Sequence, residues 1–454
     1  MGLLGTAMAA QNSAAGSNTS GSAVVSFDGY EIAVPSAWPV VNLEAAPTSC
    51  VRFDQHGVYL GHPGRDQICP AHVLGQSEAV VVEPLGNAVI PSGTVWLAPG
   101  QARPATIPAT TDHRVSFAIP AAGVLVTGSY GVNEDTIARV LASAVVTAQA
   151  KPAAAKPPGN VVAVSPHVSE PGSFQGLGFD ACAAPSSAAM QAWSSSPYRG
   201  VGVYIGGVNR ACAQPNLTAS WVSGQDSAGW HLFPIYVGLQ APCSGIGATI
   251  DPANANAQGQ SAAQDAVAQA QGLGVTAGSV LYDDMESYAR GGSCTQAVLD
   301  FLAGWTTALH VSGYSSGVYS SSGSGISDLV AAAGGSYPSP DNVYFARWNN
   351  VPDTNDVAIP AADWSNHQRI HQYAGGHNES YGGVTINIDG DALDVSSSLL
   401  VSRLGVLESS GGVVQIKEGG LSAQWSPAEM GGIAKFQING DWIGVLTTGG
   451  ELFV

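Results

Sequence analysis

The sequence predicts an α/β protein built around a (β/α)8 TIM barrel, with a small α+β domain before it and a short all-β, propeller-blade-like segment after it. Three observations carry this reading. Between about residues 174 and 400, short apolar segments alternate with stretches of helical spacing. Eight strands separated by helices in roughly 225 residues is the arithmetic of such a barrel. The strand segments are almost continuously apolar, as parallel strands buried on both faces are. Acidic residues gather where several of these strands stop, and barrel enzymes carry their chemistry at C-terminal strand ends. An open doubly wound sheet is the structural alternative; no glycine-rich phosphate turn follows the first strand to favour it.

From the beginning of the chain, residues 1–23 lack a basic n-region, yet "AMA" at 7–9 looks like the small-residue end of a signal peptide. Residues 11–23 read as disordered. Residues 24–147 form the first unit, with strands in "AVVSFDGYEIAVPSAWPVV", "HGVYLG", "EAVVVEP" and "VLVTGSYG". "NEDTIARVLASAV" follows with helical spacing that sets Ile137, Val140, Leu141 and Val145 on one face, and Asn133 is the candidate N-cap. His56, His62, His72 and His113 are scattered through its loops and read as surface features, not as a metal site. Residues 148–173 are rich in proline and alanine and read as a semi-rigid tether.

The barrel strands, over 174–400, are "QGLGFDAC", "GVGVYIGG", "HLFPIYVG", "SVLYDDME", "SSGVYSS", "NVYFARW", "RIHQYAG" and "VTINIDGD". "SAAQDAVAQAQGLG" and "TQAVLDFLAGWTTALHVSG" are helices between them. In residues 413–454, "GELFV" echoes "VVQIKEG", which suggests one blade of a β-propeller or, equally, a docked hairpin.

Composition narrows the function. A chain of 454 residues exceeds one ordinary core. Charged residues make up 11%, and the formal net charge is −18. That balance excludes nucleic acid, whose phosphates demand clustered Lys and Arg. No run of about 18 apolar residues exists to span a membrane. A neutral glycan suits the chain better as a partner. The six cysteines lack CxxC spacing, so we pair them as disulfides: Cys50 with Cys69, Cys182 with Cys212, and Cys243 with Cys294. They place the protein in an oxidising compartment, secreted or at the cell wall. No cofactor or metal is expected; "DGDALD" lacks the full EF-hand spacing.

The candidate catalytic residues are Asp180 in "GFD", Asp284 and Glu286 in "DDME", and Asp389 in "NID". Alternation puts Asp284 and Glu286 on one face, about 7 Å apart, with Asp283 and Met285 on the other. Crowded carboxyls cannot all ionise, so one holds a proton near neutral pH, and a protonated acid beside an ionised partner can cleave a glycosidic bond. Glu286 has the longer reach and is assigned general acid. Tyr204, Tyr236, Tyr319, Trp348, Gln372, Tyr373 and Asp391 are candidate sugar-binding residues near strand ends. The competing reading makes these acids solvated loop residues, or partners of Arg290, Arg347 and Arg369.

These segments resemble the glycoside hydrolase family 25 lysozymes, in which a first strand ends in Asp, a fourth carries Asp-x-Glu and the last carries another Asp. "HQYAG" looks like that family's Trp-Gln-Tyr strand, with His371 in place of the Trp. The similarity is closer still to a glycoside-hydrolase-like domain of unknown function in secreted actinobacterial proteins, through "GFDACAAPS", "PIYVGLQAPC", "YDDMESY" and "RIHQYAGG" over about 174–398. The resemblance implies a TIM barrel and a peptidoglycan-type polysaccharide as substrate. A non-catalytic glycan-binding barrel, or a structural component of a secreted assembly, are the alternatives.

Overall fold

The computed structural model describes residues 21–153 apart from 87 and 92, residues 173–396, and the strands between 404 and 453. The amino-terminal stretch and most of the tether lie outside them.

The first unit opens with a hairpin, Ser22–Phe27 against Tyr30–Pro35, turned by Asp28 and Gly29, both at positive φ. Asp-Gly is the pair such a turn favours. Val145–Val146 adds a third strand to it. A six-stranded mixed sheet lies beyond, in the order Val40–Asn42, Gly57–Leu60, Ala79–Pro84, Val124–Ser129, Arg114–Ile119, Val95–Trp96. The expected helix is Asp135–Ala142, with Ile137, Val140 and Leu141 buried. Asn133 Oδ1 accepts from the Asp135 amide at 3.2 Å, and Val145 belongs to the added strand, not to the helix face.

The eight segments expected as barrel strands do close into one barrel: β1 (Phe174–Asp180), β2 (Tyr198–Gly206), β3 (His231–Tyr236), β4 (Val280–Asp284), β5 (Ser315–Ser321), β6 (Asn342–Ala346), β7 (Gln368–Tyr381) and β8 (Val384–Val395). It is nevertheless a closed mixed barrel, not a (β/α)8 TIM barrel. Strands β1 to β7 run parallel, but β8 is antiparallel to both β7 and β1. The cause is local. Gly382 and Gly383, with φ of 57° and 82°, turn β7 straight back into β8, and two residues hold no crossover helix. The helices are correspondingly few: α1 (Ser187–Trp193), α2 (Ala219–Ser227), α3 (Ala255–Gly272), α4 (Gly292–Val311) and α5 (Gly325–Ala332) each follow one of the first five strands.

Strand alternation sorts the barrel into two apolar zones. Tyr204, Phe233, Ile235, Val280, Tyr282, Tyr319 and Tyr344 fill the interior. Phe179, Leu232, Tyr236 and Leu281 face outward with Trp193 and Trp305 from the helices. The three disulfides pair as expected. Their closed loops of 19, 30 and 51 residues each remove about 3–4 kcal/mol of chain entropy from the unfolded state.

The propeller-blade expectation is corrected as well. Strands Leu404–Leu407, Val414–Lys417 and Trp425–Pro427 form one three-stranded antiparallel sheet, and Ile433–Asn439, Trp442–Thr447 and Leu452–Phe453 form another. A blade is a single four-stranded sheet.

Candidate active site

The mouth is built where β1, β4 and β8 deliver carboxyls to the same end of the barrel. Asp180 is the last residue of β1, and Asp389 of β8 sits directly opposite it in the antiparallel register. Because β8 runs backwards, Asp389 arrives near the middle of its strand. Asp391 lies two residues deeper, opposite Gly178. On β4, Val280 and Tyr282 point inward while Leu281 and Met285 join the outer clusters. Asp284 and Glu286 therefore follow Tyr282 into the mouth. Asp283 lies on the other face, buried near Gly238 with neither oxygen partnered.

A web of hydrogen bonds fixes the floor. Asp180 accepts from Tyr204 Oη at 2.7 Å, Tyr344 Oη at 2.7 Å and Gln372 Nε2 at 3.0 Å. Tyr344 Oη also lies 2.8 Å from Asp391 Oδ1. One hydroxyl carries one proton, so these two contacts require a protonated carboxyl on one side. Gln372 Oε1 in turn accepts from Tyr319 Oη and from Trp348 Nε1, each at 3.0 Å. Gln240 braces the end of β4: its Nε2 donates to the Asp284 carbonyl at 2.7 Å, and its Oε1 accepts from the Glu286 amide at 2.8 Å.

One residue in this mouth comes from the other domain. His72 Nε2 donates to Glu286 Oε1 at 2.9 Å, and its Nδ1 lies 3.1 Å from Tyr204 Oη. Since Tyr204 spends its proton on Asp180, it accepts from Nδ1, and the ring carries both protons. A ring nitrogen of His72 lies within 4.8 Å of one oxygen each from Asp284 and Glu286, and the same holds for Asp180 and Asp389.

Electrostatics follows from burial and from this single cation. Asp180 is 0% exposed, and Asp284 and Asp389 are each 1% exposed. Burial, then the Glu286 charge, drives the Asp284 pKa well above the carboxylate range. Burial and the Asp180 charge push Asp389 up to about 8, and the same two causes raise Asp391 well above its usual value. For Asp180, burial raises the pKa against its hydrogen bonds from Tyr204 and Tyr344. Glu286 moves the other way, because the His72 hydrogen bond and charge outweigh burial and lower it. Burial alone would depress His72, yet Glu286, with Asp284 and Asp389, carries it up to about 10. The site thus holds an ionised Glu286 beside a protonated Asp284.

Of the expected sugar-binding residues, Tyr204, Tyr319, Gln372 and Asp391 belong to the floor, and Trp348 stands at the rim, 65% exposed. Tyr236 faces the helices, where its hydroxyl donates to Asp265 Oδ2 at 2.8 Å. Tyr373 is half-buried against Gly390. Sequence reasoning passed over Tyr344, His72 and Gln240. Alternation along "NVYFA" would have turned Tyr344 inward between Val343 and Phe345. Nothing in "CPAHVLG" marks His72 as a histidine that reaches the mouth of the barrel. A cavity of about 600 Å³ lies elsewhere, between the first unit and the barrel flank, lined by Phe53, Glu83, Arg114, Arg210 and Gln269.

Residues 191–393 match the family described as the Rv2525c-like, glycoside hydrolase-like domain. The domain resemblance read from the sequence therefore stands over these residues. Among solved structures, the chain is similar to an uncharacterized B. stearothermophilus protein at 17% identity, covering 48% of this chain and 95% of that one, with a TM-score of 0.34. It is similar also to the Mycobacterium tuberculosis Tat-secreted protein Rv2525c in complex with L-tartrate, at 13% identity over 48% and 96% of the two chains, TM-score 0.35. A third likeness is the catalytic domain of endolysin ply40 from bacteriophage P40 of Listeria monocytogenes, at 12% identity over 48% and 93%, TM-score 0.29. No curated protein matches.

Proposed function

We propose that this is an exported protein whose barrel binds and hydrolyses a peptidoglycan-type cell-wall polysaccharide by carboxylate acid/base chemistry. The observation that carries the reading is the convergence of Asp180, Asp284, Glu286 and Asp389 in one mouth, with more carboxyls than can ionise together. Glu286 is the most accessible of them and reaches furthest, so it takes up the proton that Asp284 holds in the resting site and delivers it to the leaving oxygen. Asp284, left ionised by that transfer, orients the substrate's acetamido group. Across the barrel, Asp180, whose charge keeps Asp389 protonated, stabilises the positive charge that develops on the sugar ring, and Asp389 positions the ring. Trp348 offers an exposed aromatic face beside the mouth. Three disulfides suit an oxidising compartment, and no helix among the described residues is long and apolar enough to cross a membrane.

The test is Glu286→Gln. Release of reducing sugars from peptidoglycan or chito-oligosaccharides is expected to stop while the circular dichroism spectrum is kept; unchanged turnover removes the assignment. The near-complete burial of Asp180, Asp284 and Asp389 favours a second reading, a non-catalytic glycan receptor. Glycan retention without product release, indifferent to Glu286→Gln, selects it.

A further inference from the structure

The loop that carries His72 is fastened to the barrel from both sides. Upstream, the Cys50–Cys69 disulfide closes it, Asn216 Nδ2 donates to the Arg65 carbonyl at 2.7 Å, and Ser186 Oγ donates to Asp66 Oδ1 at 2.6 Å. At its tip the Ala71 amide donates to Asn387 Oδ1 at 2.6 Å. Leu74 packs on the interior cluster that contains Tyr204, Tyr319 and Tyr344, and the Gly75 amide donates to the Asn209 carbonyl at 2.9 Å. Between these anchors His72 stands within hydrogen-bonding reach of Glu286 and Tyr204, and within 4.8 Å of oxygens on both carboxyl walls.

A sugar ring whose glycosidic oxygen is to meet Glu286, and whose anomeric carbon is to lie between the walls, needs the volume that the imidazole fills. The histidine also keeps the group that must donate a proton ionised, because a carboxylate held as an ion pair has no proton to give. Both effects act in the same direction. Resting on the hydrolase reading above, we propose that His72 is the access-determining residue of the site. The segment from Cys69 to Gly75 is an intramolecular gate that occupies the sugar position and must withdraw before a glycan can be bound and cleaved.

Two variants of the full chain loosen the gate by different chemistry. His72→Ala removes the ring and its charge; Leu74→Ala removes the apolar anchor and leaves the ring in place. Amide hydrogen exchange read on residues 69–77 needs no glycan. Both variants are expected to exchange faster there, by roughly tenfold or more, with the barrel strands unchanged. Turnover of peptidoglycan, or failing that the affinity for a chito-oligosaccharide, is expected to rise by a similar factor as the open fraction grows. Exchange at 69–77 that neither variant alters overturns the gate. So does turnover that falls in His72→Ala while rising in Leu74→Ala, because the imidazole would then be a working member of the site. Faster exchange without any glycan bound or cleaved leaves the gate standing and removes the hydrolase reading.

Discussion

Acids at the periphery of this barrel and acids in its mouth are satisfied in opposite ways. Around the rim, Arg290 Nε donates to Asp328 Oδ1 at 2.6 Å, and Arg347 pairs with Asp356 through two guanidinium nitrogens. Arg369 serves backbone carbonyls, among them that of Pro360 at 2.8 Å. None of these arginines touches a mouth carboxyl. There Asp180, Asp284, Glu286, Asp389 and Asp391 meet one cation, His72, supplied by another domain. An acid answered by its own arginine holds the fold together. Acids left to share one histidine and too few protons keep raised pKa values and unpartnered oxygens, as on Asp284, Asp389 and Asp391. Perturbation of that kind marks sites of chemistry more often than sites of support.

The contrast is broken most sharply by paired substitutions. Glu286→Gln is expected to lower turnover by about three orders of magnitude, within the usual worth of a general acid, and to lower the melting temperature as well, since His72 loses its charged partner. Asp328→Asn should touch stability alone. It weakens an acceptor that serves Arg290, Tyr288 and Thr295, costs about 2 kcal/mol of stability, and spares activity. If Asp328→Asn abolished turnover while Glu286→Gln only melted the protein, the two regions would have been assigned the wrong way round.

A pH series sharpens the same point. Asp389 binds its proton more tightly folded than unfolded, since its pKa rises from 3.8 to about 8. Its contribution is present in full below about pH 4 and is lost as the pH climbs through 8. His72, raised from 6.5 to about 10, contributes fully below about 6.5 and loses that contribution through 10. Thermal unfolding is therefore expected to occur at lower temperature at pH 9 than at pH 5, by roughly 3–6 °C. Asp389→Asn should flatten the profile between pH 5 and 8; a profile that rises over this range contradicts the assignment. The smallest effect belongs to Trp348→Ala. Glycan affinity should weaken by about tenfold with no change in melting temperature, as titration calorimetry would register.

Much of this was legible in the sequence, for reasons that also explain what was not. Apolar runs bounded by turns marked all eight barrel strands, and the two-residue side-chain period placed Asp284 and Glu286 together with Asp283 opposed. The same period could not tell which of two similar tyrosines faces inward. In "YIGG" and "PIYVG" both faces are apolar, so nothing fixes the parity, and Tyr204 enters the floor while Tyr236 turns to Trp305. The Gly382-Gly383 pair was a hairpin signal overlooked in favour of counting strands, and that count produced the parallel-barrel expectation. His72 was beyond reach on different grounds. Its role depends on one domain docking against another, and no local pattern encodes that contact.

The returning last strand has one more consequence. Phe174 pairs with Val395, so both ends of the barrel chain leave from the pole opposite the carboxyls. A polymer approaching the mouth therefore meets neither terminus of the barrel; what it meets there is the loop that carries His72.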